Sequence, residues 1–135
     1  MKYEGPLVQA TLLRRYKRFL ADVRLPDGTE LTAHCANSGA MTSCWAPDVP
    51  CRVRDSGNPK RKLPWSLEQT CMDGHWVVVN TARPNGVVAE AIAGGRVPEL
   101  AGYPTLRTEV RYGTEKSRID ILLEDGERRA WVEVK

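Results

Sequence analysis

The last sixteen residues carry the side-chain types from which a hydrolytic metal site is built. Asp120 closes the run Ser117-Arg118-Ile119-Asp120, and Glu133 and Lys135 lie in Ala130-Trp131-Val132-Glu133-Val134-Lys135. Between them Glu124-Asp125-Gly126-Glu127 is a turn signal, so the two runs read as a hairpin. With Asp125-Gly126 as a two-residue loop, Asp120 faces Trp131, and alternation puts Asp120, Trp131, Glu133 and Lys135 on one face. Asp120 and Glu133 are then diagonal neighbours with Cα atoms roughly 7–8 Å apart, a span that one divalent cation bridges. Ile121, Leu123, Ala130, Val132 and Val134 fall on the opposite face and belong to a core. Two carboxylates and a lysine on one face suit metal-assisted phosphodiester hydrolysis. The carboxylates would hold Mg²⁺ or Mn²⁺ as a Lewis acid, and Lys135 would orient water or stabilise charge on the phosphorane. An ordinary exposed strand also reads Glu-Val-Lys, so spacing alone leaves both readings open.

A second set of residues points to phosphate. Residues 1–65 hold 11 Lys/Arg against 6 Asp/Glu, and residues 66–135 hold 9 against 11, so the formal net charge of +3 conceals +5 and −2. The cations cluster at Arg14, Arg15, Lys17 and Arg18 and again at Arg52, Arg54, Lys60, Arg61 and Lys62. These nine are the expected nucleic-acid contacts, against the simpler reading of a solvated charged face. Tyr16, Trp45 and Trp65 are candidate stacking rings, although alternation groups Trp65 with the apolar Leu63 and Leu67.

The elements that must position these groups follow from pattern. Phe19, Ala21, Val23 and Leu25 alternate with polar neighbours up to the turn signal Pro26-Asp27-Gly28, after which Glu30 to Cys35 forms the return strand. Upstream, Val8, Ala10 and Leu12 alternate in the opposite phase. That predicts a long strand with a bulge around Arg14–Arg18, with a helix as the rival reading. Residues 36–50 form a loop, Cys51 to Arg54 a short strand, and Leu63 to Glu68 another with Ser66 and Glu68 on its polar face. Asp73-Gly74 then turns the chain into His75 to Val79. About five short antiparallel strands within residues 1–80 fit an OB-type barrel. Pro84 opens a helix that Gly94-Gly95 stops, and three strands follow, so residues 81–135 read as a separate α/β unit. The predicted class is mixed α+β with two domains.

The rest of the composition narrows the classes. Cys35, Cys44, Cys51 and Cys71 lie at irregular spacings without a C-x-x-C, and with His34 and His75 they do not form a zinc-ligand rhythm. Reduced, partly buried thiols are expected instead. No apolar run approaches the roughly 20 residues of a membrane helix, and the basic start lacks the apolar stretch of a signal peptide. A soluble cytoplasmic protein without a membrane partner is the expectation.

Several of these stretches together resemble the SfsA family, the sugar fermentation stimulation proteins. They are Arg15-Tyr16-Lys17-Arg18-Phe19-Leu20-Ala21-Asp22-Val23, His34-Cys35-Ala36-Asn37-Ser38-Gly39-Ala40-Met41, Asn80-Thr81, Gly102-Tyr103, Glu109-Val110 and Ser117-Arg118-Ile119-Asp120. The resemblance runs from about residue 7 to the end. It implies an N-terminal OB-type barrel joined to a nuclease-like domain of the PD-(D/E)xK class, and DNA binding. Position by position, it puts the family's acidic motif residue on Asp120 and its (D/E)xK on Glu133 and Lys135, and Glu90 takes the place of a further metal carboxylate on the preceding helix. Glu109, on the charged face of its strand, is a further acidic candidate, against the reading of a surface partner of Arg107 or Arg111. The family continues past Glu-Val-Lys, so a fragment or an inactive truncated product is one expectation for this chain. A non-catalytic DNA-binding regulator of sugar-use genes is another. DNA is the expected partner, with RNA as the alternative, and a homodimer is the expected assembly.

Overall fold

The computed structural model describes residues 1–114 and 116–135. They divide into two compact units, Lys2–Thr81 and Ala82–Lys135, the latter with Met1. Counted over these units rather than at residue 65, Lys2–Thr81 holds 11 Lys/Arg and 8 Asp/Glu, while the other unit holds 9 of each. The net charge of +3 is therefore carried by the first unit, which corrects the split of +5 and −2.

The first unit is a closed barrel of OB type. Its strands are β1 (Val8–Tyr16), β2 (Leu20–Arg24), β3 (Glu30–His34), β4 (Val49–Asp55), β5 (Trp65–Met72) and β6 (His75–Val78). The order β3-β2-β1-β4-β5 closes through a parallel β3–β5 contact at His34 and Ser66, and β6 extends β5 as a hairpin. The expected long strand is in fact two. The chain reverses at Lys17 and Arg18, both at positive φ (49° and 63°), so that Tyr16 pairs with Leu20. The phase change in the apolar pattern thus marks a turn, although a register shift between Leu12 and Arg14 also places an irregularity in β1. Phe19 lies in this turn, outside β2, and is exposed, whereas Ala21 and Val23 are fully buried. β4 starts two residues earlier than the pattern suggests. Its ladder to β5 begins only at Cys51, so Pro50 deprives β5 of no hydrogen bond.

Ser66 and Glu68, expected on a polar face, are buried. The β4–β5 register passes from Arg52↔Gln69 to Val53↔Leu67, leaving Glu68 as the extra residue of a bulge. Glu68 is 0% exposed. Its Oε1 accepts from Arg54 Nε (3.2 Å) and its Oε2 from Asn80 Nδ2 (2.9 Å). Arg54 Nη1 also donates to the Glu4 carbonyl at 3.3 Å. The apolar interior beside this network is made by Leu12, Val23, Val53, Leu67, Cys35 and Cys51, each 0% exposed. On the outer face Asp22 collects Arg14 Nε (2.6 Å), Tyr16 Oη (3.1 Å) and Thr32 Oγ1 (2.7 Å), linking β1, β2 and β3.

The second unit packs one helix on a three-stranded antiparallel sheet. Helix α1 (Arg83–Ala93) precedes a 3₁₀ turn (Pro98–Leu100) and strands β7 (Thr105–Arg111), β8 (Arg118–Asp125) and β9 (Arg128–Val132), in the order β7-β8-β9. Pro84 suits the first turn, where its missing N–H is not needed. The helix ends in paired bonds, Gly95 N to Ile92 O and Arg96 N to Ala91 O, with Gly95 at φ 69° supplying the left-handed step. Ile92, Val88 and Ala89 pack on Ile121 and Leu123, joined by Ala130, Val132 and Val134. Among the described residues no helix is long and apolar enough to cross a membrane.

Two stability outcomes follow. Removing one partner of a buried ion pair strands the other charge, so Glu68→Ala lowers unfolding free energy by about 3–5 kcal/mol in urea melts, and pairing it with Arg54→Met recovers part of the loss. An unchanged midpoint would refute a structural role for the pair. At Asp22, burial pushes the carboxyl up, but the donors Arg14, Thr32 and Tyr16 outweigh it and hold the group below its ordinary value. Its contribution is therefore present above the unfolded value of 3.8 and lost as pH falls through the lower folded value. In Asp22→Asn the acid limb of the melting-temperature profile over that range should flatten.

Candidate functional site

In the sheet unit, alternation along β8 and β9 positions the acidic groups. The β8–β9 turn is Gly126-Glu127, since Asp125 pairs with Arg128 and Leu122 with Trp131. The loop is displaced by one residue from the expected Asp125-Gly126, which shifts the register by two and so preserves the parity. The paired register ends at Ile121↔Val132, and Glu133 to Lys135 follow it, with Val134 packed on the same core as Val132. Glu133 and Lys135 share the Asp120 face, while Ile121 and Leu123 are buried on the other.

The Asp120 carboxylate is held on both oxygens. Oδ1 accepts from Asn85 Nδ2 at 2.9 Å, and Oδ2 accepts from the Val134 N–H at 2.8 Å. The same Asn85 amide donates to Glu109 Oε1 at 3.2 Å. Glu109 lies opposite Asp120 on β7, between the pairs Thr108↔Ile121 and Val110↔Ile119, with φ at 54°. Asn85 thus ties two carboxylates on neighbouring strands to the first turn of α1. Glu133 Oε1 pairs instead with Lys135 Nζ at 2.8 Å. That contact, with the negative field of Asp120, raises the Lys135 pKa, so the ammonium stays protonated.

Glu90 is not brought to this cluster. It lies five residues beyond Asn85 and roughly 140° further round the helix, and its carboxylate pairs with the Met1 ammonium at 3.1 Å. Glu109 does not partner Arg107, whose guanidinium pairs with Glu124 at 2.6 Å. Residue spacing contained no signal for Asn85, and it offered Glu109 as an acidic candidate without placing it beside Asp120. Both depend on how the helix seats on the sheet. Among the described residues, no group of three or more His, Cys, Asp or Glu is disposed to hold a metal ion.

The nine basic residues separate into two classes. Arg54 belongs to the buried network and is withdrawn from solvent, which corrects its assignment as a phosphate contact. Arg15 Nη2 donates to the carbonyls of Arg18 (3.1 Å), Asn37 (2.6 Å) and Gly39 (2.7 Å), so it clamps the β1–β2 turn to the loop after β3. Arg14 is paired with Asp22, and Arg52 lies over Trp76 at 3.9 Å and bonds Gln69 at 3.0 Å. Lys17 and Arg18, in the β1–β2 turn, and Lys60, Arg61 and Lys62, in the β4–β5 loop, form no ion pair among the described residues. The two loops approach one another at His34. Its ring stacks on Phe19 (6.5 Å between centroids, 10° between planes), and it lines a shallow groove of about 300 Å³ with Arg61, Lys62 and Leu63. Trp45 and Trp65 are partly buried against the barrel core, and Tyr16 is engaged by Asp22 and lies under Arg14 at 4.4 Å. All four cysteines are free, and burial pushes the Cys51 thiol up to about 12, far from a reactive thiolate.

Residues 13–79 match the model of the SfsA N-terminal OB domain, and residues 82–135 match that of the sugar fermentation stimulation protein RE domain. The sugar fermentation stimulation protein homolog of Paramagnetospirillum magneticum is 57% identical over 136 residues, spanning 100% of this chain and 57% of that protein. The homolog of Rhodospirillum centenum is 60% identical over 136 residues, covering 58% of its own length. The chain therefore spans a little over half the length of these curated relatives. Among solved structures, Pyrococcus furiosus SfsA in complex with Ca²⁺ superposes with a TM-score of 0.82 at 25% identity, over 98% of this chain and 55% of that one. With both domain models matched in order along its length, the chain belongs to the SfsA, or sugar fermentation stimulation protein, family.

Proposed function

We propose that this chain binds DNA through its barrel and carries part of a divalent-metal phosphodiesterase site on its sheet. The observation that carries the first reading is the division of the cations. Four of nine are occupied inside the barrel or on its side chains, and the five without ion pairs among the described residues belong to the β1–β2 and β4–β5 loops, which meet at His34. In OB barrels these two loops border the face that takes oligonucleotides. Cations without carboxylate partners neutralise phosphates and release counterions, which gives affinity without sequence readout.

The second reading rests on the Asp120–Asn85–Glu109 arrangement, and the relative solved with Ca²⁺ supports it. The donor set is all oxygen and suits a hard cation, and Mg²⁺ is commonly held by one or two carboxylates plus substrate phosphates. Asp120 and Glu109 would hold it, with Glu133, just past the end of β9, as a further carboxylate. Bound there, Mg²⁺ or Mn²⁺ supplies Lewis-acid polarisation of the phosphoryl oxygen. Asn85 and the Val134 N–H orient the Asp120 carboxylate, and the protonated Lys135 offers positive charge where the phosphorane develops.

Binding to duplex DNA should weaken steeply with salt, and Lys17→Ala with Arg18→Ala should reduce the log–log slope by about 2. A salt-independent affinity would overturn the phosphate reading. Near 100 times its dissociation constant, Mg²⁺ or Mn²⁺ should stabilise the chain by about 2.7 kcal/mol, and Asp120→Asn should abolish the shift. Metal-dependent cleavage of plasmid DNA that survives Asp120→Asn would exclude that carboxylate from the reaction.

A further inference from the structure

Phe19, the sole phenylalanine of the chain, is 49% exposed at the point where the two basic loops meet. Single exposed apolar side chains are ordinary, but this one is placed with unusual backbone effort. Two successive non-glycine residues, Lys17 and Arg18, adopt left-handed conformations just before it, a strain that the surrounding contacts must hold. Arg15 clamps the Arg18 carbonyl at 3.1 Å, the Phe19 N–H donates to the Lys17 carbonyl at 2.8 Å, and the Phe19 carbonyl accepts from Cys35 N–H at 2.7 Å. The ring is backed by the nearly parallel imidazole of His34, beyond which lies the groove of Arg61, Lys62 and Leu63. Both terminal nitrogens of Arg61 donate to Ser66 Oγ at 3.1 Å, so its fork is already positioned.

We propose that the Phe19–His34 stack is a platform for one unpaired base of a single-stranded nucleic acid, with Lys17–Arg18 and Arg61–Lys62 engaging the flanking phosphates. The inference rests on the phosphate-binding reading of the barrel and adds a strand preference to it. Every base has a π face that stacks on an aromatic ring, and in a duplex those faces are already covered by neighbouring bases. Only an unpaired base can therefore use the ring. The surrounding cations without ion pairs favour a polyanion over a neutral protein partner.

The test compares fluorescently labelled oligothymidylate with a duplex of equal length, using the whole chain, by anisotropy across a salt series. Phe19→Ala should weaken oligothymidylate binding by about 5- to 150-fold and duplex binding by less than about twofold, and Phe19→Trp should restore the single-strand affinity. A 2-aminopurine in the strand should be quenched by the unmodified chain and not by Phe19→Ala. Because Phe19 is exposed, its variants should melt with the unmodified chain. Equal losses on both ligands, or no loss on the single strand while binding stays salt-dependent, would overturn the stacking site alone. An absence of salt-dependent binding to either ligand would overturn the phosphate reading and this inference with it.

Discussion

The barrel is organised around one buried anion. Glu68 occupies the extra position of the β4–β5 bulge, fully removed from water, with Arg54 on one oxygen and Asn80 on the other. An ionised carboxylate in such a place is tolerated only when its hydrogen-bonding capacity is met, so the partners are constrained as a set. Arg54 reaches on to the Glu4 carbonyl, and Asn80 adjoins Thr81, whose N–H donates to the Ala36 carbonyl at 3.0 Å. The strand ends on either side of the β4–β5 loop are therefore fixed by the same network, and with them the base of the loop that carries Lys60, Arg61 and Lys62.

A similar use of charge occurs at Arg15, whose guanidinium satisfies three carbonyls from two separate turns. The stretches that identify the family are in large part these joints. Arg15 meets Asn37 and Gly39, the Asn37 amide reaches the Val79 carbonyl at 3.1 Å, and Asn80 completes the Glu68 network. Paired cations thus build the scaffold, while Lys17, Arg18, Lys60, Arg61 and Lys62, without ion pairs among the described residues, lie in two loops of it. Burial separates the two roles that a count of charges merges.

In the second unit the organising rule is the pleat. A displacement of the turn by one residue moved the register by two, and a two-residue shift returns every side chain to its original face. That is why Asp120, Glu133 and Lys135 share a face even though the expected loop was not the one formed. What the rule could not supply was the third dimension. Asn85 comes from the helix, and Glu109 from a strand residue at positive φ, and neither position follows from alternation.

The chain's own pattern was sufficient for the hairpins at Pro26-Asp27-Gly28 and Asp73-Gly74, the helix between Pro84 and Gly94, the barrel, and the pairing of faces on the last hairpin. These depend on local turn chemistry and period, which a linear sequence carries in full. It misread the reversal at Lys17-Arg18, because a left-handed turn without glycine looks like a change of phase within one strand. It also placed Ser66 and Glu68 outward, because a polar residue buried at a barrel-closing pair or in a bulge has the same type as one in solvent. Which arginines are structural, which ring is exposed, and which amide bridges two carboxylates were decided only by the tertiary structure. Each depends on desolvation and on partners distant along the chain, as Arg54 and Glu68 or Asn85 and Asp120 are, and no spacing encodes those.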